Sequence, residues 1–314
     1  MGQKVAISVV VPVYKEEQSI SPFLARLLPV LEKLSSNYEV LFCLDPSPDE
    51  TESKILLTTA QNQRIKMIKM SRRFGQPAAT MAGIMSCKGE RCLVIDVDLQ
   101  DPPELLWDLN LKMNEGFDVV YAQRRSREGE TFVKRIVSKI GYKVINTLTD
   151  IRIPRDTGDF RLISRKVIEE LRGLNETHGF LRGLIAYVGF NQTAVLYDRD
   201  KRYTGKGNYN RFFGSFKIGL NGLIGFSSKP LSLMSLCGGL IASFGFLLGI
   251  WYLIQHFMGF ELSAGLSTTV ILITFFSGIQ LLSLGLLGEY ISRIYDEVKR
   301  RPMYIIETKV NFDE

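Results

Sequence analysis

Histidine and cysteine are scarce in this chain. Its 314 residues include two histidines, His178 and His256, and four cysteines, Cys43, Cys87, Cys92 and Cys237, none in paired ligand spacing. That excludes a zinc constellation and a disulfide-stapled scaffold, and the cysteines read as free thiols in a reducing compartment. Two glycine-rich phosphate-binding patterns are also missing. No GxGxxG follows the first apolar run, and no glycine-rich loop ends in Gly-Lys-Ser or Gly-Lys-Thr, which argues against a dinucleotide-binding Rossmann domain and a P-loop NTPase. The apolar run from Met1 to Val13 is too short for export and leads into a strand-like pattern, so no signal peptide is predicted. Charge is absent from two long stretches, Leu231 to Phe260 and Leu262 to Gly288. The near-zero mean hydropathy therefore averages a water-soluble part and an apolar part.

What is present is a hydrophobic content of 46%, ample for a core, in a length that suits one large or two ordinary domains. A formal net charge of +6 suits an anionic membrane surface or an anionic substrate and does not choose between them. Apolar, β-branched runs at Ala6 to Val13, Tyr38 to Leu44, Ile65 to Met70, Cys92 to Val97 and Asp118 to Ala122 alternate with helix-length stretches at Pro22 to Leu34, Glu50 to Gln61, Pro77 to Ser86 and Pro102 to Asn114. The alternation predicts an α/β fold, a mostly parallel sheet flanked by helices. Ligands in such folds bind at the carboxyl ends of the strands.

Farther on, Leu231 to Ile254 and Leu266 to Leu287 are each long enough to cross a hydrocarbon core of about 30 Å as a helix, a buried helical hairpin being the soluble alternative. The stretch between them, Gln255 to Gly265, has no Lys or Arg, while Arg211, Lys217 and Lys229 precede the pair and Arg293, Lys299, Arg300 and Arg301 follow it. By the positive-inside rule both flanks are cytosolic. Between Arg211 and Phe226, apolar residues at helical spacing sit beside Arg211 and Lys217, which suits a helix in the membrane interface or one packed on a core. The predicted organisation is a cytosolic α/β domain at 1–210, an amphipathic juxtamembrane segment at 211–230, a two-helix transmembrane hairpin within 231–288 and a cytosolic tail at 289–314.

The chemistry-bearing signal is Asp96-Val97-Asp98 at the end of a buried run. Residues i and i+2 of a strand share a face, so both carboxylates can reach one divalent ion on a diphosphate; capping the next helix is the structural alternative. Asp101-Pro102-Pro103-Glu104 has the pattern of a capping box, which predicts that Asp101 caps and leaves Asp96 and Asp98 for metal. Pro12-Val13-Tyr14-Lys15-Glu16-Glu17 offers a ring and acids on a strand-exit loop, and Asp45 does the same after the second run, though each also reads as an ordinary turn. Arg124, Arg125, Arg127, Lys134 and Arg135, with Arg199, Lys201, Arg202 and Lys206, suit a substrate with several phosphates or a solvated face. Few aromatics interleave with them, so no nucleic acid is expected.

Together these residues resemble the family 2 glycosyltransferases of GT-A fold that act on polyprenyl phosphates: the dolichyl-phosphate mannose synthases and, more closely, the bacterial undecaprenyl-phosphate glucosyltransferases. The resemblance covers essentially the whole chain and rests on Val11 to Glu17, Ser71-Arg72-Arg73-Phe74-Gly75, Asp96 to Glu104, Thr157-Gly158-Asp159-Phe160-Arg161-Leu162 and Gly288 to Tyr295. It implies inverting transfer of a hexose, glucose favoured, from a UDP-sugar to undecaprenyl or another polyprenyl phosphate, giving a lipid-linked donor for cell-envelope glycans. By the same resemblance, Pro12, Tyr14, Glu16 and Asp45 hold the nucleotide, and Asp96 and Asp98, with Gln100 nearby, serve a Mg2+ or Mn2+ ion and the diphosphate. Arg124 contacts donor phosphate, Lys134, Ser138 and Arg202 hold the lipid phosphate, and Asp159 stands where relatives have their proposed base. The resemblance also implies an inner-membrane, multi-pass enzyme with both termini cytosolic, assembled as a homotetramer.

The chain departs from the family pattern at Leu44-Asp45-Pro46-Ser47, at Gly205-Lys206-Gly207-Asn208, and at Arg73 and Gln76, where Asn and a basic residue are common. Two other readings are a processive polysaccharide synthase and a non-catalytic membrane scaffold that binds anionic lipid. The first resembles a pattern with a Gln-x-x-Arg-Trp motif, and neither Trp107 nor Trp251 stands in that context.

Overall fold

The computed structural model describes residues 4–125, 147–148, 157–174, 176, 180–200, 222–258 and 265–312. Among the described residues eight strands form one sheet: β1 (Ile7–Val13), β2 (Tyr38–Leu44), β3 (Ile65–Met70), β4 (Arg91–Val94), β5 (Val119–Arg124), β6 (Thr157–Ser164), β7 (Gln192–Tyr197) and β8 (Ile306–Val310), in the order β7-β5-β6-β4-β1-β2-β3-β8. β3, β2, β1 and β4 are mutually parallel, as are β5 and β7, while β6 and β8 run antiparallel to their neighbours. The expected α/β class holds, with a more mixed sheet than the strand-helix alternation implied.

The strands β1 and β2 are continuous apolar runs because both faces are covered. Val9, Val11, Val40 and Phe42 face a layer containing α1 (Ile20–Leu34) and α4 (Leu106–Asn114), and Val10, Leu41 and Cys43 face the opposite layer. That layer contains α3 (Gln76–Ser86), α5 (Arg165–Gly173) and α6 (Leu181–Val188); α2 (Thr51–Gln61) joins β2 to β3. Close approach of α3 depends on Gly83, where a Cβ would lie 2.3 Å from Val10 Cγ1 and 2.7 Å from Cys43 Sγ.

Two helices, α7 (Lys229–Phe257) and α8 (Leu266–Lys299), follow. Both are long and apolar enough to cross a membrane, with mean hydropathy of 2.0 in an 18-residue window of the first and 2.2 in one within Thr269–Lys299, and those windows are not buried at all. Side chains such as Phe246 at 71% and Leu282 at 76% exposure leave an apolar surface far larger than a soluble monomer carries. α8 ends at Arg300 in the left-handed region, φ 49°, and the chain returns to the sheet, so β8 lies within the stretch 289–314 read from the sequence as a tail. Residues 211–221 of the amphipathic segment lie outside the described residues. Its described end packs on protein: Ile224 is buried, and Phe226 stacks on Phe180 with ring centroids 6.1 Å apart.

Two local expectations are corrected. β4 stops at Val94, so Asp96 and Asp98 lie in a turn beyond it and do not alternate along a strand. The helix after Asp101 begins as a single 3-10 turn, Pro103–Leu105, and no side chain caps either it or α4. Asp101 cannot serve the usual N–H two residues on, because Pro103 has none.

Candidate active site

The carboxyl ends of β1 to β5 and β7 finish on one edge of the sheet, and antiparallel β6 delivers its first residues to the same edge. β1 pairs with β2 as far as Val13 opposite Leu44, but with β4 only as far as Val10 opposite Val94. The strand order reverses between β1 and β4, the switch point at which α/β sheets bind ligands. Pro12 suits this place: Ile95 N–H donates to the Val10 carbonyl at 3.1 Å, and two residues on, where the β4 ladder has ended, a donor is not required.

One wall of the crevice is made of the loops after β1, β2 and β3. Lys15 N–H donates to Ser47 Oγ, Glu16 N–H to Thr51 Oγ1 and Glu50 N–H to Glu17 Oε2, each at 3.0 Å. Asp45 is almost fully buried, and its two carboxylate oxygens accept Phe74 N–H at 3.0 Å and Gly75 N–H at 2.8 Å. Gly75 has φ 94°, which favours glycine at the turn. Arg73 lies with its guanidinium carbon 4.0 Å from the Tyr14 ring centroid, and Glu16 accepts the Ser19 hydroxyl at 2.7 Å.

The other wall is acidic. Gln76 Nε2 donates to Asp96 Oδ1 at 2.8 Å, and Asp98 Oδ1 accepts Gln100 N–H at 3.1 Å across the positive-φ residue Leu99. Burial first, and then the negative charges of Asp101, Asp98 and Asp159, push the Asp96 carboxyl up to about 8. Two hard carboxylates suit a divalent cation of the Mg2+ or Mn2+ kind, which takes one or two carboxylates and completes its shell with water and phosphate. Among the described residues no group of three His, Cys, Asp or Glu is placed to hold a metal.

Arginines offset part of this charge, at Asp101 and Asp159. Tyr197 donates its hydroxyl to Asp101, Arg199 Nε lies 3.4 Å from Asp101 Oδ1, and Arg124 Nε donates to Tyr197 Oη at 3.3 Å. Arg182 Nε donates to Asp159 Oδ1 at 2.8 Å. Burial is the largest single influence on Asp159 and favours its neutral acid. The combined charges of Arg182, Arg161 and Arg124, with the Arg182 hydrogen bond, outweigh it and hold Asp159 below the ordinary carboxylate value. Burial lowers the Arg161 guanidinium to about 10, and Asp159 opposes that shift.

The edge thus gathers Pro12, Tyr14, Glu16, Asp45, Asp96, Asp98, Gln100, Arg124 and Asp159, while Lys134, Ser138 and Arg202 lie outside the described residues. Tyr197 and Arg182 were missed from the sequence. Tyr197 ends a strand at the ligand-binding edge, a positional signal that was available; Arg182 sits in a short helix and carried none.

The glycosyl transferase family 2 model matches residues 8–172. An uncharacterised glycosyltransferase of Bacillus subtilis (strain 168) is 43% identical, over 98% of this chain and 95% of its own length. A prophage-derived bactoprenol glucosyl transferase of Shigella flexneri is 36% identical, over 96% of this chain and 97% of its own. Among solved structures the chain resembles glucosyl-3-phosphoglycerate synthase from Mycobacterium tuberculosis in complex with Mn2+, UDP-glucose and phosphoglyceric acid. That likeness is distant, 19% identical at a TM-score of 0.48, over 74% of this chain and 80% of the other. The sequence matches decide the matter: this glycosyltransferase belongs to family 2.

Proposed function

We propose that this enzyme moves glucose from UDP-glucose to the phosphate of a polyprenyl lipid at the cytosolic face of the inner membrane, inverting the anomeric centre. The observation that carries the reading is the near full-length match to a bactoprenol glucosyl transferase, which includes both apolar helices. α7 and α8 cross the bilayer and keep the sheet and both termini in the cytosol, consistent with the cationic flanks. Assembly as a homotetramer belongs to the same reading.

Tyr14 and Arg73 hold the nucleotide, with Pro12 and Glu16 beside them. Asp45 acts from behind by fixing the Phe74 and Gly75 amides. Asp96 and Asp98 would hold the Mg2+ or Mn2+ ion, which when bound neutralises charge on the leaving diphosphate. Arg124, steadied by Tyr197, contacts donor phosphate, and Gln100 supports the turn that carries Asp98. Lys134, Ser138 and Arg202 take the lipid phosphate.

An acceptor oxygen forms the new bond to the anomeric carbon as the bond to the UDP β-phosphate oxygen breaks. A phosphate monoester with a second pKa of about 6 is mostly dianionic in the cytosol, so no proton has to be removed from it. Asp159 fits this chemistry as an orienting anion, because its arginines make it a weak base. The test is to incubate purified protein with Mg2+ or Mn2+, a panel of labelled nucleotide sugars and undecaprenyl phosphate. Labelled lipid from UDP-glucose is expected; lipid labelled only from another donor would correct the sugar, and none from any donor would overturn the carrier.

A further inference from the structure

The Arg182–Asp159 pair is joined to the membrane helices by a short series of contacts. Arg182 is the second residue of α6, and its neighbour Gly183 is where that helix meets the segment entering α7. A Cβ at position 183 would lie 2.3 Å from Phe226 Cε2 and 2.6 Å from Phe180 Cδ1, so the Phe226 ring sits in a notch that exists because residue 183 is glycine. The backbone beside Phe226 is fixed in turn. Ser227 is buried, its hydroxyl donates to the Leu148 carbonyl, and Lys229 N–H donates to Ser227 Oγ at 3.1 Å. From α8, Tyr290 donates its hydroxyl to the Ser227 carbonyl at 2.7 Å, and the Arg293 guanidinium approaches so closely that a Cβ at Gly225 would lie 3.0 Å from its Nη1.

We propose that Arg182 is a positioning residue for Asp159, and that the Phe226 knob in the Gly183 notch makes its placement depend on the junction with α8. The pair has the geometry for this. Nε of a guanidinium is fixed by the plane of the group, and at 2.8 Å it holds one carboxylate oxygen in one direction. Both side chains are mostly shielded, at 21% and 29% exposure, so the pair is screened less than a surface ion pair. A displacement of α6 by the Phe226 ring moves Arg182 with it. Through this route an acceptor-side membrane segment aligns the acidic edge that the sheet builds. The inference rests on the transferase reading above.

The test uses full-length protein in lipid nanodiscs with UDP-glucose, Mn2+ and undecaprenyl phosphate, and follows labelled lipid and, without lipid, UDP release. Arg182→Gln is expected to lower kcat about 10- to 100-fold, the range typical of removing an outer partner that orients a functional group. KM for UDP-glucose should stay within about twofold, and Arg182→Lys should fall between the two. On an Asp159→Asn background the Arg182 change should add nothing, because its target is gone. Gly183→Ala should lower kcat in the same way, again with no further loss on Asp159→Asn. Wild-type kcat in Arg182→Gln, or losses that multiply with Asp159→Asn, would overturn the positioning role. Wild-type kcat in Gly183→Ala would overturn the link to α8. If Arg182→Gln does not fold, Arg182→Lys alone and with Asp159→Asn separates the same outcomes. If wild-type protein labels no lipid, the acceptor assignment fails, while additivity in UDP release still decides for or against Arg182.

Discussion

Carboxylates withdrawn from water occur at both edges of this sheet, and they are treated in opposite ways. At the amino edge Glu39 is almost fully buried, yet it accepts the Ser8 hydroxyl and the Lys88 N–H, both at 2.6 Å, and pairs with Lys66 at 2.8 Å. At the carboxyl edge Asp96, Asp98, Asp101 and Asp159 crowd together, and Asp96 is left with a strongly raised carboxyl. The first arrangement has its countercharge, Lys66, within the chain and ties strands together. The second keeps an excess of negative charge that a cation would relieve, the pattern of a site. What separates the two is the countercharge: Glu39 has Lys66 against it, whereas Asp96 faces other carboxylates.

The comparison breaks most visibly under substitution. Asp96→Asn or Asp98→Asn should lower kcat by about 100-fold or more, as loss of a preorganised electrostatic group does, without lowering the unfolding midpoint; Asp96→Asn should raise it at neutral pH, because an amide escapes the penalty of ionising a carboxyl pushed up to about 8. Glu39→Ala should do the reverse. It leaves Lys66 without a countercharge, only the Phe312 ring remaining 5.1 Å away, and is expected to lose about 3–5 kcal/mol of stability in urea unfolding, with kcat per folded molecule retained. Equal loss of activity in the two classes would erase the distinction.

The pH response sharpens it. Asp96 binds its proton up to about 8 in the folded protein but only to about 3.9 when unfolded, so between those values the folded state holds more protons. Stability of the metal-free enzyme should therefore fall as pH rises from about 4 to about 8. Thermal unfolding in EDTA should show that slope, Mn2+ should flatten it, and Asp96→Asn should lack it. A smaller effect is expected at Asp45→Asn, which leaves one of two backbone amides without its carboxylate oxygen. About 1–3 kcal/mol of stability and a severalfold rise in KM for the donor should follow, read by urea unfolding and steady-state kinetics. Smallest is Tyr197→Phe, which removes the acceptor for Arg124 and the hydroxyl on Asp101. A loss in kcat of up to about tenfold is expected, corresponding to about 1.4 kcal/mol.

How far these regions could be read from the sequence follows from their burial. β1, β2 and β3 were legible to within a residue because strands covered on both faces leave unbroken apolar runs. β7, half-buried, and β8, an edge strand reading Ile-Glu-Thr-Lys-Val, leave no such run, and nothing local announces that β8 returns to β3 from beyond two membrane helices. The acidic turn was legible as chemistry but not as geometry. Asp101 looked like a cap because its true partners, Tyr197 and Arg199, lie almost a hundred residues away. Arg182 was illegible for another reason: it lies in a short helix with no motif around it, and only the fold brings it against Asp159, 23 residues earlier.

The most direct measurement is calorimetric titration of Mn2+, in the presence of UDP, into wild-type protein, Asp96→Asn, Asp98→Asn and Glu39→Gln. Saturable binding is predicted for wild type and Glu39→Gln, tighter at pH 8 than at pH 6 for wild type, and lost in both aspartate variants. Undiminished Mn2+ binding by Asp96→Asn and Asp98→Asn would contradict the account.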